Sequence, residues 1–206
     1  MVQLKETVEV RSNVRIVGRE RGKVTFRREG HNIWLNTGRE WMARAVSYES
    51  LDPDVPLDNQ RIKYMGFGVG GTRQFGQSRL VDAPYDVYAG TNNQTDQNPA
   101  VTRLERPVRI SGGEGAYPGT ALDRWVAAVQ APPEFPTAAT ARYRRIFTRQ
   151  EISYGNFLSL PLSEIGLFLS GAVVNNYLNV PVAYDTFDTI SKTQAVAIEV
   201  TWDLEF

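Results

Sequence analysis

The sequence predicts a mainly β protein: an antiparallel β-sandwich, jelly-roll-like, with one short α-helix near residues 37–49. Three observations lead there. The last twelve residues, AVAIEVTWDLEF, place Val196, Ile198, Val200, Trp202, Leu204 and Phe206 on one face and small or polar residues on the other. The stretch TVEVRSNVRIVGRERGKVTFRREG reads as strand, turn, strand, with the turn near Gly18 to Gly22. No repeating βαβ pattern occurs.

The remaining strand candidates are residues 61–65, 102–110, 125–129, 141–153, 163–169 and 180–183. Between them, residues 52–59, 89–100, 111–120 and 130–137 are rich in Gly, Pro, Asn and Asp and read as loops. The helix is predicted from NTGREWMARAVSYES. Thr37 and Glu40 have the spacing of a capping box, and Trp41, Ala45 and Tyr48 form an apolar stripe. A weaker helical signal covers residues 120–126. No linker divides the chain, so residues 1–206 are read as one β-rich domain with a loop insertion around 89–100. The terminal strand should complete its own sheet or augment a neighbour's.

Composition narrows the chemistry. The 206 residues carry 23 Lys plus Arg against 23 Asp plus Glu, so no overall charge attracts nucleic acid or an anionic membrane. Cysteine is absent, which removes disulfides and thiolate chemistry. The first residues lack a signal-type apolar run and no stretch is long enough to span a bilayer, so synthesis is expected in a cytoplasm.

YMGFGVGGTR contains Gly66-x-Gly68-x-x-Gly71, the spelling of a dinucleotide-binding loop. That fingerprint needs a helix after the loop to receive pyrophosphate. TRQFGQSRLVDAPYD supplies none, so the glycines are read as a tight turn requiring positive φ or close backbone approach. His31, the one histidine, has no nucleophile or orienting partner in view and is read as a bystander. Asp52, Asp54 and Asp58 lack the central Gly and terminal Glu of a calcium loop. No cofactor, metal or catalytic constellation is predicted, and the chain is not read as an enzyme. RYRRIFTR interleaves Arg142, Arg144, Arg145 and Arg149 with Tyr143 and Phe147. Alternation puts Arg142 and Arg144 on one face and Arg145 and Arg149 on the other. This splits a would-be single-strand-binding surface and favours protein contact or internal pairing.

HNIWLNTGREWMARAVSY, IKYMGFGVGGT, LSEIGLFL and AYDTFDTISKTQAVAIEVTWDLEF occur in that order. In that order they resemble structural proteins of tailed bacteriophage particles, from the tail, baseplate or neck-collar region. The resemblance covers residues 30–72 and 162–206. It implies that Asn36, Gly38, Gly66, Gly68, Ser163, Glu164, Gly166, Phe187, Lys192 and Thr193 define the fold, with Gly71 closing the glycine loop. It also implies a virion subunit that self-assembles as a trimer or six-fold-related ring and docks to other virion proteins. Arg142, Tyr143, Arg144, Arg145, Phe147, Arg149, Trp202 and Phe206 are the candidate interface. The alternative is a carbohydrate-binding module of a tail tip or fibre, using loop aromatics such as Tyr85, Tyr88 or Tyr117. A nucleic-acid module built on residues 142–149 is the third reading.

Overall fold

The computed structural model describes residues 10–31, 33–47, 60–71, 104, 106–116, 122–152, 159–170 and 181–206. Two antiparallel sheets pack as a sandwich, with one short helix. The strands are β1 (Arg11–Glu20), β2 (Lys23–His31), β3 (Ile33–Trp34), β4 (Ile62–Gly68), β5 (Glu114–Ala116), β6 (Asp123–Ala128), β7 (Glu134–Thr137), β8 (Thr140–Phe147), β9 (Ser159–Leu169), β10 (Ala183–Thr193) and β11 (Ala197–Glu205). One sheet has the order β2-β1-β11-β8-β7 and the other β3-β10-β9-β4-β6-β5. The outermost chain pairing is β1 with β11, and nested inside it β3 pairs with β10 in the facing sheet. β1–β2, β5–β6 and β7–β8 are instead local hairpins.

The amphipathic strands behave as their alternation dictates. In β11, Ile198, Val200, Trp202 and Leu204 are buried, whereas Glu199, Asp203 and Glu205 keep contact with solvent. The β1–β2 turn consists of Arg21 and Gly22, with φ of 48° and 81°. Positive φ at both central residues matches the right-handed twist of the flanking strands. The two sheets meet through rings: Phe67 of β4 lies edge-on to Phe147 of β8 at 5.1 Å, and Phe187 of β10, in the same sheet as Phe67, lies edge-on to it at 6.4 Å. Val14, Ile16, Val200 and Trp202 complete this core from the five-stranded side.

A second apolar cluster forms around Leu35, Tyr64, Leu104, Trp125, Val126, Phe168 and Tyr184. The six-stranded sheet is therefore covered on both faces, which is why residues 162–169 of β9 are buried without interruption. Gly66 and Gly166 face each other across β4 and β9, and the Phe168 ring covers the pair. Trp125 meets Phe168 edge-on at 4.9 Å.

Several local expectations change. The helix, α1 (Asn36–Val46), starts earlier than the capping box predicts, with extended Leu35 as its N-cap and no side-chain cap bond. Leu35 is fully buried, donates to the Val182 carbonyl and accepts from the Arg39 amide, so tertiary anchoring sets the start and Thr37 falls inside the first turn. Ala45 is exposed rather than part of a buried stripe, and Tyr48 lies outside the described residues. The helix docks through Gly38, where a Cβ would come within 2.5 Å of the Val182 carbonyl, and through Trp41, which donates to the Gln60 carbonyl at 2.6 Å. The weak helical signal at 120–126 overlaps β6, a strand. Residues 106–110 make only isolated bridges and are not a strand. The loop composition of 130–137 conceals β7, which includes Pro136, and that of 111–120 conceals β5. β8 stops at Phe147 rather than continuing to 153. β10 runs far beyond the expected 180–183.

β11 lies between β1 and β8, with both of its edges paired. It completes its own sheet and cannot augment a neighbour's. The true edges are blunted: β3 and β5 are two and three residues long, β7 contains Pro136, and β2 carries Lys23, Arg27, Arg28 and Glu29.

The register makes neighbouring positions of β8 respond oppositely. Phe147→Ala removes a buried cross-sheet ring and should cost about 3–5 kcal/mol. Ile146→Thr, on the solvent face, should stay within about 0.5 kcal/mol. Urea denaturation of both variants checks the assignment, and equal losses would contradict it.

Candidate functional site

The glycine segment is held by a carboxylate of its own chain. β9 presents Ser163 and Glu164, both fully buried, beneath the end of β4. One Glu164 oxygen accepts from the Gly70 amide at 3.0 Å and from the Arg106 amide at 2.9 Å, and the other accepts from the Tyr184 hydroxyl at 3.0 Å. The Ser163 hydroxyl accepts from the Gly71 amide at 3.0 Å. The arrangement has the logic of an anion-binding loop, but the anion is internal.

Glycine is required here by proximity. A Cβ on Gly68 would lie 2.2 Å from Glu164 Oε1 and 2.6 Å from the Arg106 carbonyl, and one on Gly71 would lie 1.9 Å from the Ser163 carbonyl. Gly66 and Gly68 belong to strand β4 and have no positive φ, so the tight-turn expectation is corrected. The close-approach half of that expectation describes the geometry.

Lys192 forms a second internal tie. It is 2 % exposed, and its Nζ donates to the Arg149 carbonyl at 3.0 Å and the Thr193 carbonyl at 2.7 Å. Burial pushes its pKa down to about 8. The Thr193 hydroxyl accepts from the Ala195 amide, organising the turn into β11. Asn36 is an exposed first residue of α1.

The arginine-rich strand is neutralised within the fold. Arg142 makes a two-pronged pair with Asp203 at 2.7 and 2.8 Å. Arg144 bridges Glu134 at 3.1 Å and Glu199 at 3.0 Å, and these partners hold its pKa above the ordinary value. Arg145, on the other face, pairs with Glu151 and lies over the Phe147 ring. Tyr143 and Phe147 point into the core with Trp202. Burial pushes the Tyr143 pKa up to about 12. Three residues of the expected interface, Tyr143, Phe147 and Trp202, are therefore core residues, because alternation turns them inward while Arg142 and Arg144 turn outward. The segment offers no aromatic stacking platform for bases. Arg149 and Phe206 are exposed.

His31 pairs through its backbone with Asn13 at the end of β2. Asp52, Asp54, Asp58, Tyr85, Tyr88, Tyr117 and the 89–100 insertion lie outside the described residues. Among the described residues, no group of three or more His, Asp or Glu side chains could hold a metal. No helix among them is long and apolar enough to cross a membrane.

Sequence reasoning missed Asp185. It is 3 % exposed, tucked against Gly30, and its Oδ1 has no hydrogen-bond partner. Its position between Tyr184 and Thr186 in β10 gave no local signal of burial. Burial raises its pKa to about 7 against the pull of the Thr186 amide.

Comparison with protein-family models finds no match, and no curated protein or solved structure matches the chain.

Two outcomes follow from these buried carboxyls. Glu164→Ala strands the Gly70 and Arg106 amides and the Tyr184 hydroxyl, and should cost about 3–5 kcal/mol in a denaturant titration. A loss below about 1 kcal/mol would mean that the clamp does not hold the loop. For Asp185, the folded chain keeps a proton that the unfolded chain releases between pH 3.8 and about 7. Its contribution is therefore full below that window and falls as pH rises through it. Asp185→Asn should flatten the pH dependence of the melting temperature and gain stability above pH 7, on the order of a few kcal/mol. Parallel thermal melts from pH 4 to 8 give the test, and coincident wild-type and variant slopes would refute it.

Proposed function

We propose that the chain is a structural subunit of a tailed-phage virion, in the tail, baseplate or neck-collar region. It self-assembles into a symmetric oligomer and docks to neighbouring virion proteins. The observation that carries this reading is the convergence of the resembling residues. Gly68, the glycine loop, Ser163 and Glu164 come from segments about a hundred positions apart and meet in one internal lock. Residues used in this way maintain a shape, and a virion component is selected for shape and contact surfaces.

The candidate contact surface is the β7–β8 hairpin. Phe135 is 69 % exposed, Ile146 59 % and Phe206 48 %. Phe206 donates its amide to Ala139 in the turn of the same hairpin. Exposed aromatics beside arginines suit the centre and rim of a protein interface. A ring or trimer would use this surface against a complementary one on the next subunit.

Light scattering with negative-stain imaging tests the proposal. A discrete trimer, hexamer or dodecamer is expected. Phe135→Ser combined with Phe206→Ser should dissociate it at least about tenfold more readily, because each apolar anchor is worth on the order of 1–2 kcal/mol. The melting temperature of the dissociated chain should not change. A monomer at every protein concentration, or an oligomer indifferent to both substitutions, would overturn the assignment of this surface.

A further inference from the structure

The outer face of the five-stranded sheet holds a groove of about 380 Å³. Asn13 and Arg15 of β1, Glu29 of β2, Thr201 and Asp203 of β11, and Arg142 of β8 line it. The strand register explains the grouping. Glu29, Arg15 and Thr201 are successive cross-strand partners, and Asn13, Asp203 and Arg142 form the next row. The groove is thus built on four paired strands rather than on loops, which fixes the spacing of its groups.

The inventory of partners in this groove is uneven. Arg142 and Asp203 are satisfied by each other, and Glu29 by Arg27. Arg15 has no ion pair or hydrogen bond among the described residues, although Glu29 is its cross-strand neighbour. Thr201 is 5 % exposed, and its hydroxyl, buried between flanking arginines, has no partner. A buried hydroxyl without a partner costs about 1–3 kcal/mol. A ligand oxygen that accepts from Thr201 and Arg15 would remove that cost and pair the cation.

We infer that this groove binds a small, hydroxyl-rich carboxylate of the uronic acid class. Its carboxylate would meet the Arg15 guanidinium and the Thr201 hydroxyl. Its hydroxyls would donate to the free lone pairs of Asp203 and Glu29. Those two carboxylates also select the ligand. A uronate carries one charge and offers them several hydroxyl donors, whereas inorganic phosphate as the dianion carries two charges and offers a single hydroxyl. Among the described residues no aromatic ring lines the groove, so recognition here rests on hydrogen bonds. The inference does not rest on assembly into a particle: a chain that assembles and binds no acid would refute only this site.

Isothermal titration of the full chain with D-glucuronate and D-galacturonate, against D-glucose and inorganic phosphate, tests it. Binding of a uronate with neither control matching it is expected. Arg15→Ala should weaken that binding at least about tenfold, the scale of one charge-assisted contact. Arg15→Lys should retain part of it, and Thr201→Val should weaken it about threefold while leaving the thermal melt unchanged or raised. No uronate binding at tens of millimolar, binding unaffected by Arg15→Ala, or glucose binding equally well would overturn the inference. Phosphate binding as tightly would also overturn it, and would make the groove a plain anion site.

Discussion

The fold depends on a carboxylate buried under a strand end. Removing Glu164 from water costs several kcal/mol, and three donors meet it where it lies. Hydrogen bonds to a charged group contribute about 1.5–3 kcal/mol each, so the clamp roughly balances its own desolvation. Its consequence is therefore specificity more than net stability. Only one docking of the 69–71 segment, the 106–108 segment and β10 satisfies the carboxylate, and any slip leaves it unpaired. Ser163 adds the same demand one position away, and the glycines make both approaches sterically possible.

That lock divides the molecule into unlike faces. The six-stranded sheet carries a second apolar cluster on its outer side, with Leu35 and Leu104 packed over Tyr64, Trp125, Phe168 and Tyr184. The five-stranded sheet, uncovered on its outer face among the described residues, fills that face with Arg142, Asp203, Arg144, Glu199 and Arg19. These pairs are part-exposed and contribute little to stability individually. Their effect is to keep a broad sheet face polar, with most of its charges paired. The chain can thus present an ordered polar surface on one side while the shape is maintained from the other.

How far the sequence could be read follows the same division. β1, β2, β8 and β11 each have one dry and one wet face, so alternation reveals both the strand and the orientation of its side chains. That is why the opposite facing of Arg142 and Arg145 was legible, and why Tyr143, Phe147 and Trp202 could have been assigned to the core from the same pattern. β10 resists such reading because both of its faces are covered and it buries Asp185 and Lys192, polar residues at dry positions. β7 resists it because Pro136 is tolerated on an edge where a ladder amide is dispensable. The capping pattern at Thr37 misleads because Leu35, pulled into the core, starts the helix first.

The sequence by itself determined the all-β class, the first hairpin, the place of the single helix and the polarity of the outer strands. Each of these depends on neighbours within about ten residues, where periodicity and turn chemistry act. The tertiary structure alone decided what the glycine loop binds, which arginines are neutralised, and that the last strand lies inside its sheet. Gly-x-Gly-x-x-Gly supplies free amides and missing Cβ atoms, and these suit a phosphate or a carboxylate equally. The choice falls to Glu164, 94 positions away along the chain from Gly70. No local pattern encodes that distance, and only the closure of β4 against β9 brings the two together.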